Sequence, residues 1–238
     1  MEFKTDALLL RSVDYGENDK IVTLLTADRG KIGAGLKGVK KAGAKLRFAA
    51  QPFCFAEYVI AQKSARNTVV SASLHDGFFA LREDVGTFYA AAAVCEICDK
   101  IALEGMDCAE LLVAAVSALK EMCGGESAPA LVSFLLKALR IAGYPVRAED
   151  ECPVCGKRLE GRMRFQMESG SFICGECANG VPASEITYRT IRAALSRRRL
   201  SAAECGDGEK RALNLLSAYF THQAETELNA LAEYIVLI

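Results

Sequence analysis

Four cysteines in the second half of the chain have the spacing of a metal site. Cys152-Pro-Val-Cys155 and Cys174-Gly-Glu-Cys177 are two Cys-x-x-Cys pairs with eighteen residues between them. A pair of this kind brings two sulfurs to one ion from a single tight turn, and two pairs complete the tetrahedral thiolate shell that zinc prefers. Gly156 and Gly175 suit turns whose backbone amides point toward sulfur. Four cysteines leave no open coordination position, so the expected Zn2+ is structural rather than catalytic. Four thiolates on a divalent ion leave a local charge of about −2. Lys157, Arg158, Arg162 and Arg164 lie in the same module. They are placed to offset that charge or to touch a phosphate, and a solvated cationic face is the simpler reading. Between the pairs, Met163, Phe165 and Met167 alternate, Glu168 to Ser171 form a turn sequence, and Phe172 and Ile173 follow. That pattern predicts a β-hairpin linking the two pairs.

The remaining reactive residue types form no comparable constellation. Cys95-Glu-Ile-Cys98 has a redox-like spacing but falls well inside an Ala-rich helical stretch. A reactive thiolate belongs at a helix N-terminus, so buried core thiols are the simpler reading. Gly33-Ala-Gly35-Leu-Lys-Gly38 formally matches GxGxxG. A dinucleotide site needs that motif between a strand and a helix, whereas these glycines fall inside a run with strand periodicity. There is no phosphate-binding P-loop pattern, and His75 and His222 sit in neither a nucleophile triad nor a metal pair. Nothing here argues for an enzyme.

A second candidate region lies nearer the N-terminus. No acidic residue occurs from Arg29 to Ala56, while Arg29, Lys31, Lys37, Lys40, Lys41, Lys45 and Arg47 all do. Lys40 to Arg47 reads as a flexible, glycine-containing cationic loop, and Phe48, Phe53, Phe55 and Tyr58 follow it. Cations draw in a phosphate backbone by releasing counterions, and aromatic faces stack on unpaired bases. The acid-free cluster therefore points to nucleic acid; the aromatics are more simply core.

The elements that must position these residues fall into three stretches by charge. Residues 1–80 hold twelve Lys/Arg and eight Asp/Glu, residues 81–151 six and twelve, and residues 152–238 eleven and ten, so the overall net charge of −1 hides a basic front and an acidic middle. The front reads as five short strands, at 7–13, 21–26, 31–39, 53–61 and 67–74, with turn sequences between them, which predicts a small barrel. The rest reads as amphipathic helices at 84–103, 108–122, 131–142, 184–198 and 209–231 around the cysteine module. A hydrophobic content of 51% in 238 residues supports a sizeable core. The apolar run from Ala7 to Leu10 is too short, and too closely flanked by charge, for a signal peptide. No apolar run is long enough to span a bilayer. Ten cysteines without an export signal read as reduced thiols in a cytoplasm.

Taken together, these blocks resemble the RecO family of bacterial recombination mediators. The likeness is carried by Gly30-Lys31-Ile32 leading to Lys37-Gly38, by the basic loop to Lys45-Leu46-Arg47, and by Gln51-Pro52-Phe53. A second block is Lys137-Ala-Leu-Arg-Ile-Ala-Gly143-Tyr144-Pro145 running into Cys152-Pro-Val-Cys155-Gly156. The likeness extends along essentially the whole chain and weakens from Gln223 onward. It implies an α+β multidomain protein: an N-terminal OB-fold barrel at 1–80 that binds DNA, and an α-helical domain at 81–238 with the zinc module inserted at about 150–180. It implies binding of single- and double-stranded DNA, annealing of complementary strands, and help in loading a recombinase onto strands coated by single-strand-binding protein. RecR and the acidic tail of that coating protein are the implied partners. Lys37, Lys40, Lys41, Lys45 and Arg47 are the residues the resemblance marks for DNA contact. The alternatives are a zinc-braced enzyme of another family and a zinc-containing transcription or RNA-binding module.

Overall fold

The computed structural model describes residues 1–64, 66–198 and 200–238. Two compact units make up the chain, Met1–Gly125 and Glu126–Ile238.

The first unit is built on β1 (Glu2–Tyr15), β2 (Asp19–Thr26), β3 (Lys31–Leu36), β4 (Phe55–Lys63) and β5 (Arg66–Asp76). They close into a barrel in the order β1-β2-β3-β5-β4. All neighbours are antiparallel except β3 and β5. This is the five-stranded barrel of an OB-fold. Strand alternation explains its core: Ala7 and Leu9, Val22 and Leu24, Ile32, Ala34 and Leu36, and Tyr58 and Ile60 all point inward. The register of β1 slips between Leu9 and Arg11, a bulge that resets which side chains of its second half face out.

Leu8 and Leu25 are also fully buried, although their neighbours Leu9 and Leu24 fill the barrel. Two helices, α1 (Val85–Ile101) and α2 (Ala109–Cys123), pack against β1 in this same unit. The Lys31 ammonium pairs with Asp99 at 3.0 Å, and the Cys108 amide donates to the Ala27 carbonyl at 2.8 Å. Gly30 sits between, at φ +65°, where a Cβ would lie 1.9 Å from the Leu103 carbonyl oxygen. Only glycine meets both demands. Asp84 caps α1 by accepting from the Thr87 amide at 2.7 Å. Cys95 and Cys98 are buried in α1, where burial pushes the Cys95 thiol up to about 12 and Cys98 well above its ordinary value. They are core residues, not reactive thiolates.

The second unit contains α3 (Ser127–Ile141), β6 (Met163–Gln166), β7 (Ser171–Cys174), β8 (Val181–Ala183), α4 (Glu185–Leu195), α5 (Ala202–Cys205), α6 (Gly208–Ala224) and α7 (Asn229–Leu237). Helices α3, α4 and α6 pack on one another. The three strands form a sheet ordered β7-β6-β8. Phe165 and Phe172 bury into an edge-to-face column that runs from Tyr188 on α4 through Phe172 and Phe165 to Tyr219 on α6, with centroid spacings of 5.3, 5.1 and 5.3 Å. Such contacts bind the small sheet to the helices. Among the described residues, no helix is long and apolar enough to cross a membrane.

Several expected boundaries move, each for a local reason. β3 stops at Leu36 rather than Val39 because Gly38 turns the chain at φ +65°. β4 starts at Phe55 rather than Phe53, whose own φ is +65° and whose ring packs on Phe88 at 5.3 Å. The helix expected over 209–231 is two helices, broken where Glu225 adopts φ +50°. The helix expected to reach Arg198 ends at Leu195, because Arg197 takes φ +56° and the Arg198 amide reaches back to the Ala193 carbonyl at 2.8 Å. That is a Schellman-type stop made without glycine.

Candidate nucleic-acid interface and metal centre

The cationic segment between β3 and β4 is not the slack loop its composition suggests. The amides of Lys41, Ala44, Arg47, Ala49, Gln51 and Cys54 donate in turn to the carbonyls of Gly38, Lys41, Ala44, Leu46, Phe48 and Gln51, all at 3.0–3.2 Å. The segment is a succession of hydrogen-bonded turns. Val39 is buried at one end, Leu46 is packed on the barrel core further along, and Ala49 and Ala50 are buried behind it. The apolar residues pin the segment across the barrel, and the polar ones between them are left outside. Lys37, Lys40, Lys41, Lys45 and Arg47 are all exposed.

Their surroundings differ. Lys40 donates to Asp14 at 2.7 Å, and Lys20 holds the other oxygen of the same carboxylate at 2.8 Å. Lys20 first, and then Lys40, lower the Asp14 pKa to about 2. The Gly38 amide donates to Asp19 at 2.7 Å, and the Lys40 amide to the Asn18 carbonyl at 3.0 Å. The turn between β1 and β2 therefore tethers the start of the cationic segment. Lys37, Lys41, Lys45 and Arg47 make no side-chain ion pair or hydrogen bond with a described residue.

Beside this segment the outer face of the barrel is open. Ile32, Ala34 and Leu36 point inward from β3, so Gly33 and Gly35 face out, and no atom lies within 4 Å of where a Gly33 Cβ would be. Ile21 on β2 registers with Gly35 on one side and with Val13 on the other. Val13, Ile21 and, at 63% exposure, Tyr15 are apolar side chains left in solvent. The GxGxxG stretch thus serves as a flat floor on a strand, with no nucleotide-binding turn around it.

The four cysteines meet as their spacing predicts. Their sulfurs all lie within 4.8 Å of one another. Cys152–Cys177, Cys155–Cys174 and Cys174–Cys177 are separated by 3.8, 3.5 and 3.5 Å. A tetrahedron with metal–sulfur bonds of about 2.3 Å has edges of about 3.8 Å, so this donor set fits a thiolate-bound metal ion. Gly156 takes φ +72° in the first knuckle, and its amide donates to the Cys152 carbonyl at 2.8 Å. Gly175 is needed for a different reason: a Cβ there would lie 2.8 Å from the Arg162 carbonyl oxygen. Burial pushes the Cys152 thiol up, but backbone amides of Cys174, Val154 and Cys155 outweigh it and bring it down to about 6. Cys177 goes the other way, up to about 12, because it shares protons with Cys174 and Cys155. A cation would replace those shared protons.

The module's own cations are largely engaged within it. Lys157 pairs with Glu176 at 2.5 Å, Arg158 with Glu160 at 2.9 Å, and Arg164 donates to the Gly180 carbonyl at 3.0 Å.

Residues 1–78 match the family described as Recombination protein O N terminal, and residues 82–232 match Recombination protein O C terminal. The chain belongs to the RecO family. It is similar to the DNA repair protein RecO of Desulfitobacterium hafniense (strain DSM 10664 / DCB-2), with 36% identity over 180 residues that cover 74% of this chain and 64% of that protein. The match therefore spans slightly less than two thirds of that relative's length. The RecO proteins of Anaeromyxobacter sp. (strain K) and Bacillus pumilus (strain SAFR-032) are 36% and 30% identical over 183 and 197 residues, covering 75% and 81% of this chain and 72% and 76% of theirs. The family match runs to residue 232, past Gln223, where the likeness read from sequence faded.

In this RecO-family chain the structure brings the four cysteines together and leaves Lys37, Lys40, Lys41, Lys45 and Arg47 exposed. Of the aromatics after the loop, Phe53 and Tyr58 are core, while Phe48 and Phe55 are half-buried. Val13, Tyr15 and Ile21 went unnoticed in sequence. Their only signal was apolar residues at alternating positions that the barrel interior does not use.

Proposed function

We propose that this chain is a non-enzymatic DNA-binding mediator of recombinational repair. Its N-terminal barrel, residues 1–80, binds single- and double-stranded DNA, with Lys37, Lys40, Lys41, Lys45 and Arg47 contacting phosphates. The observation that carries this reading is the set of four exposed cations, Lys37, Lys41, Lys45 and Arg47, presented on hydrogen-bonded turns and lacking a described carboxylate partner. An unpaired, outward cation releases its counterions to a phosphate without first breaking an internal pair. The glycine floor of β3, with Tyr15, Val13 and Ile21 beside it, gives unpaired bases an apolar surface next to those cations. OB-fold barrels bind oligonucleotides on this face.

In this reading the four thiolates hold one structural Zn2+, which braces the small sheet against the helices. The protein anneals complementary strands and assists recombinase loading on coated single strands, in a bacterial cytoplasm, with RecR and the acidic tail of single-strand-binding protein as partners. Family membership supports these roles. A fluorescence-anisotropy titration of a labelled single strand at two or more salt concentrations tests the central point. Binding should weaken steeply with salt and need no nucleotide. Binding that ignores salt would overturn the phosphate contacts, and binding that requires RNA or one base sequence would favour the transcription or RNA-binding alternative.

A further inference from the structure

The end of α4 builds a second cationic site, in the unit that does not contain the barrel. Tyr188, Arg189, Arg192, Ala193, Ser196, Arg198 and Leu200 line a cavity of about 370 Å³. That is within the size range of small-ligand pockets. Three of its side chains are guanidiniums. Arg189 and Arg192 project from α4, and the Schellman-type stop at Arg197 turns the chain so that Arg198 and Leu200 join the same wall.

The site is held from behind. The Tyr188 ring belongs to the aromatic column that runs through Phe172 and Phe165 of the small sheet. Its hydroxyl donates to the Glu149 carbonyl at 2.7 Å and accepts from Arg192 at 2.9 Å. Arg192 also pairs with Asp150, whose carbonyl accepts from the Leu159 amide of the first knuckle at 2.8 Å. The metal module and the cavity thus share a wall. Arg198 pairs with Glu204 at 2.9 Å, and Glu204 is in turn held by Ser201. Arg189 is exposed and makes no side-chain hydrogen bond with a described residue, although the Glu204 carboxylate, held down chiefly by Ser201, also feels the charges of Arg198 and Arg189.

We propose that this arginine cavity binds a backbone phosphate of a nucleic-acid strand, giving the protein a phosphate site separate from the barrel. The proposal rests on the DNA-binding reading above for the identity of the strand. Guanidiniums match phosphate oxygens in a two-pronged geometry, and Arg189 offers its donors without first breaking a hydrogen bond. A carboxylate ligand competes with Asp150 and Glu204 on equal terms. A strand brings the additional drive of counterion release, which tips the exchange toward phosphate. Two phosphate sites on one chain would let it hold two strands, or two stretches of one strand, at once.

The test is a salt-dependent anisotropy titration of a labelled single strand with the full-length protein and its R189Q/R198Q variant. Both side chains are exposed, so neither change opens a core. The expected result is weaker binding and a log–log salt slope shallower by about 0.7, the value for one phosphate contact on a single strand. The R189K/R198K variant should recover most of the slope. The same loss should appear when the change is made on top of K37A/K41A/K45A/R47A. A wild-type slope in R189Q/R198Q overturns the site, and so does weaker binding with the slope unchanged. Preferential binding of a poly-glutamate peptide, lost in R189Q/R198Q, overturns it in favour of an acidic protein partner. Failure of the barrel reading is separate: it would appear as an unchanged slope in the four-alanine loop variant, whatever the cavity variant does.

Discussion

The segment between β3 and β4 and the four-cysteine module both carry closely spaced cations, and the fold treats the two sets in opposite ways. On the barrel, buried Val39 and packed Leu46 hold down the ends of a run of turns, and Lys37, Lys41, Lys45 and Arg47 are left facing solvent without partners. In the module, Lys157 and Arg158 are paired with Glu176 and Glu160. These module pairs are exposed, so each contributes little to stability. Their effect is on availability: a paired cation must give up its carboxylate before it can take a phosphate. A count of lysines and arginines therefore says less about a binding surface than the position of the nearest acid.

The largest expected effect tests the module as a brace. In Cys174→Ser, bound metal should fall from about one per chain to near zero, since a closed site with three thiolates is no longer a closed site. Structural zinc contributes about 10 kcal/mol or more to folding in small modules, so β6 and β7 should lose hydrogen-exchange protection. Full metal content with intact protection would remove the site from the structural class. Next in size is the direct contrast between the two cation sets. Alanine at Lys37, Lys41, Lys45 and Arg47 should flatten the single-strand salt slope by about 2.8, while K157A/R158A should change it by less than about 0.7. Equal changes in the two variants would mean that the two sets of cations are equally available to a strand.

Glycines give a smaller test of the same contrast. Gly175→Ala forces a methyl against the Arg162 carbonyl and should destabilise the module by about 1–3 kcal/mol. Gly33→Ala points into open space and should leave the thermal midpoint unchanged or raise it by the equivalent of about 0.5 kcal/mol. Thermal unfolding of the two variants decides it. The smallest effect concerns Asp14. Its carboxyl should titrate near 2 by NMR and return toward about 3.9 in K20A/K40A. Because the folded pKa is depressed, the Asp14–Lys40 part of the tether between the β1–β2 turn and the cationic segment is fully present above about pH 4 and is lost as pH falls toward 2.

The sequence made the main architecture legible because it rests on strong local rules. Alternation in Ile32, Ala34 and Leu36 marked an inward strand face, and two Cys-x-x-Cys pairs marked a convergent turn geometry. What stayed hidden depends on contacts distant in sequence. Nothing around Lys40 announces that Asp14 would claim it, since the two meet only after β1, β2 and β3 pair. The outward turn of Val13 and Tyr15 follows from a register slip at Leu9 that no composition reveals. The arginine cavity depends on Arg197 taking a left-handed conformation that favours glycine, so the sequence reads simply as a longer helix.

Among the described residues, the barrel is closed between β3 and β5 by one parallel register pair, Gly35 with Thr68. β3 is otherwise joined through six register pairs to β2, and the Asn67 side chain adds one bond to the Gly33 carbonyl. This short seam makes the ring resemble a clasp more than a welded hoop. If the barrel breathes, amide protons along β3 and the start of β5 should exchange before those of β1 and β4. The glycine floor would then be the first part of the barrel to yield to whatever presses on it.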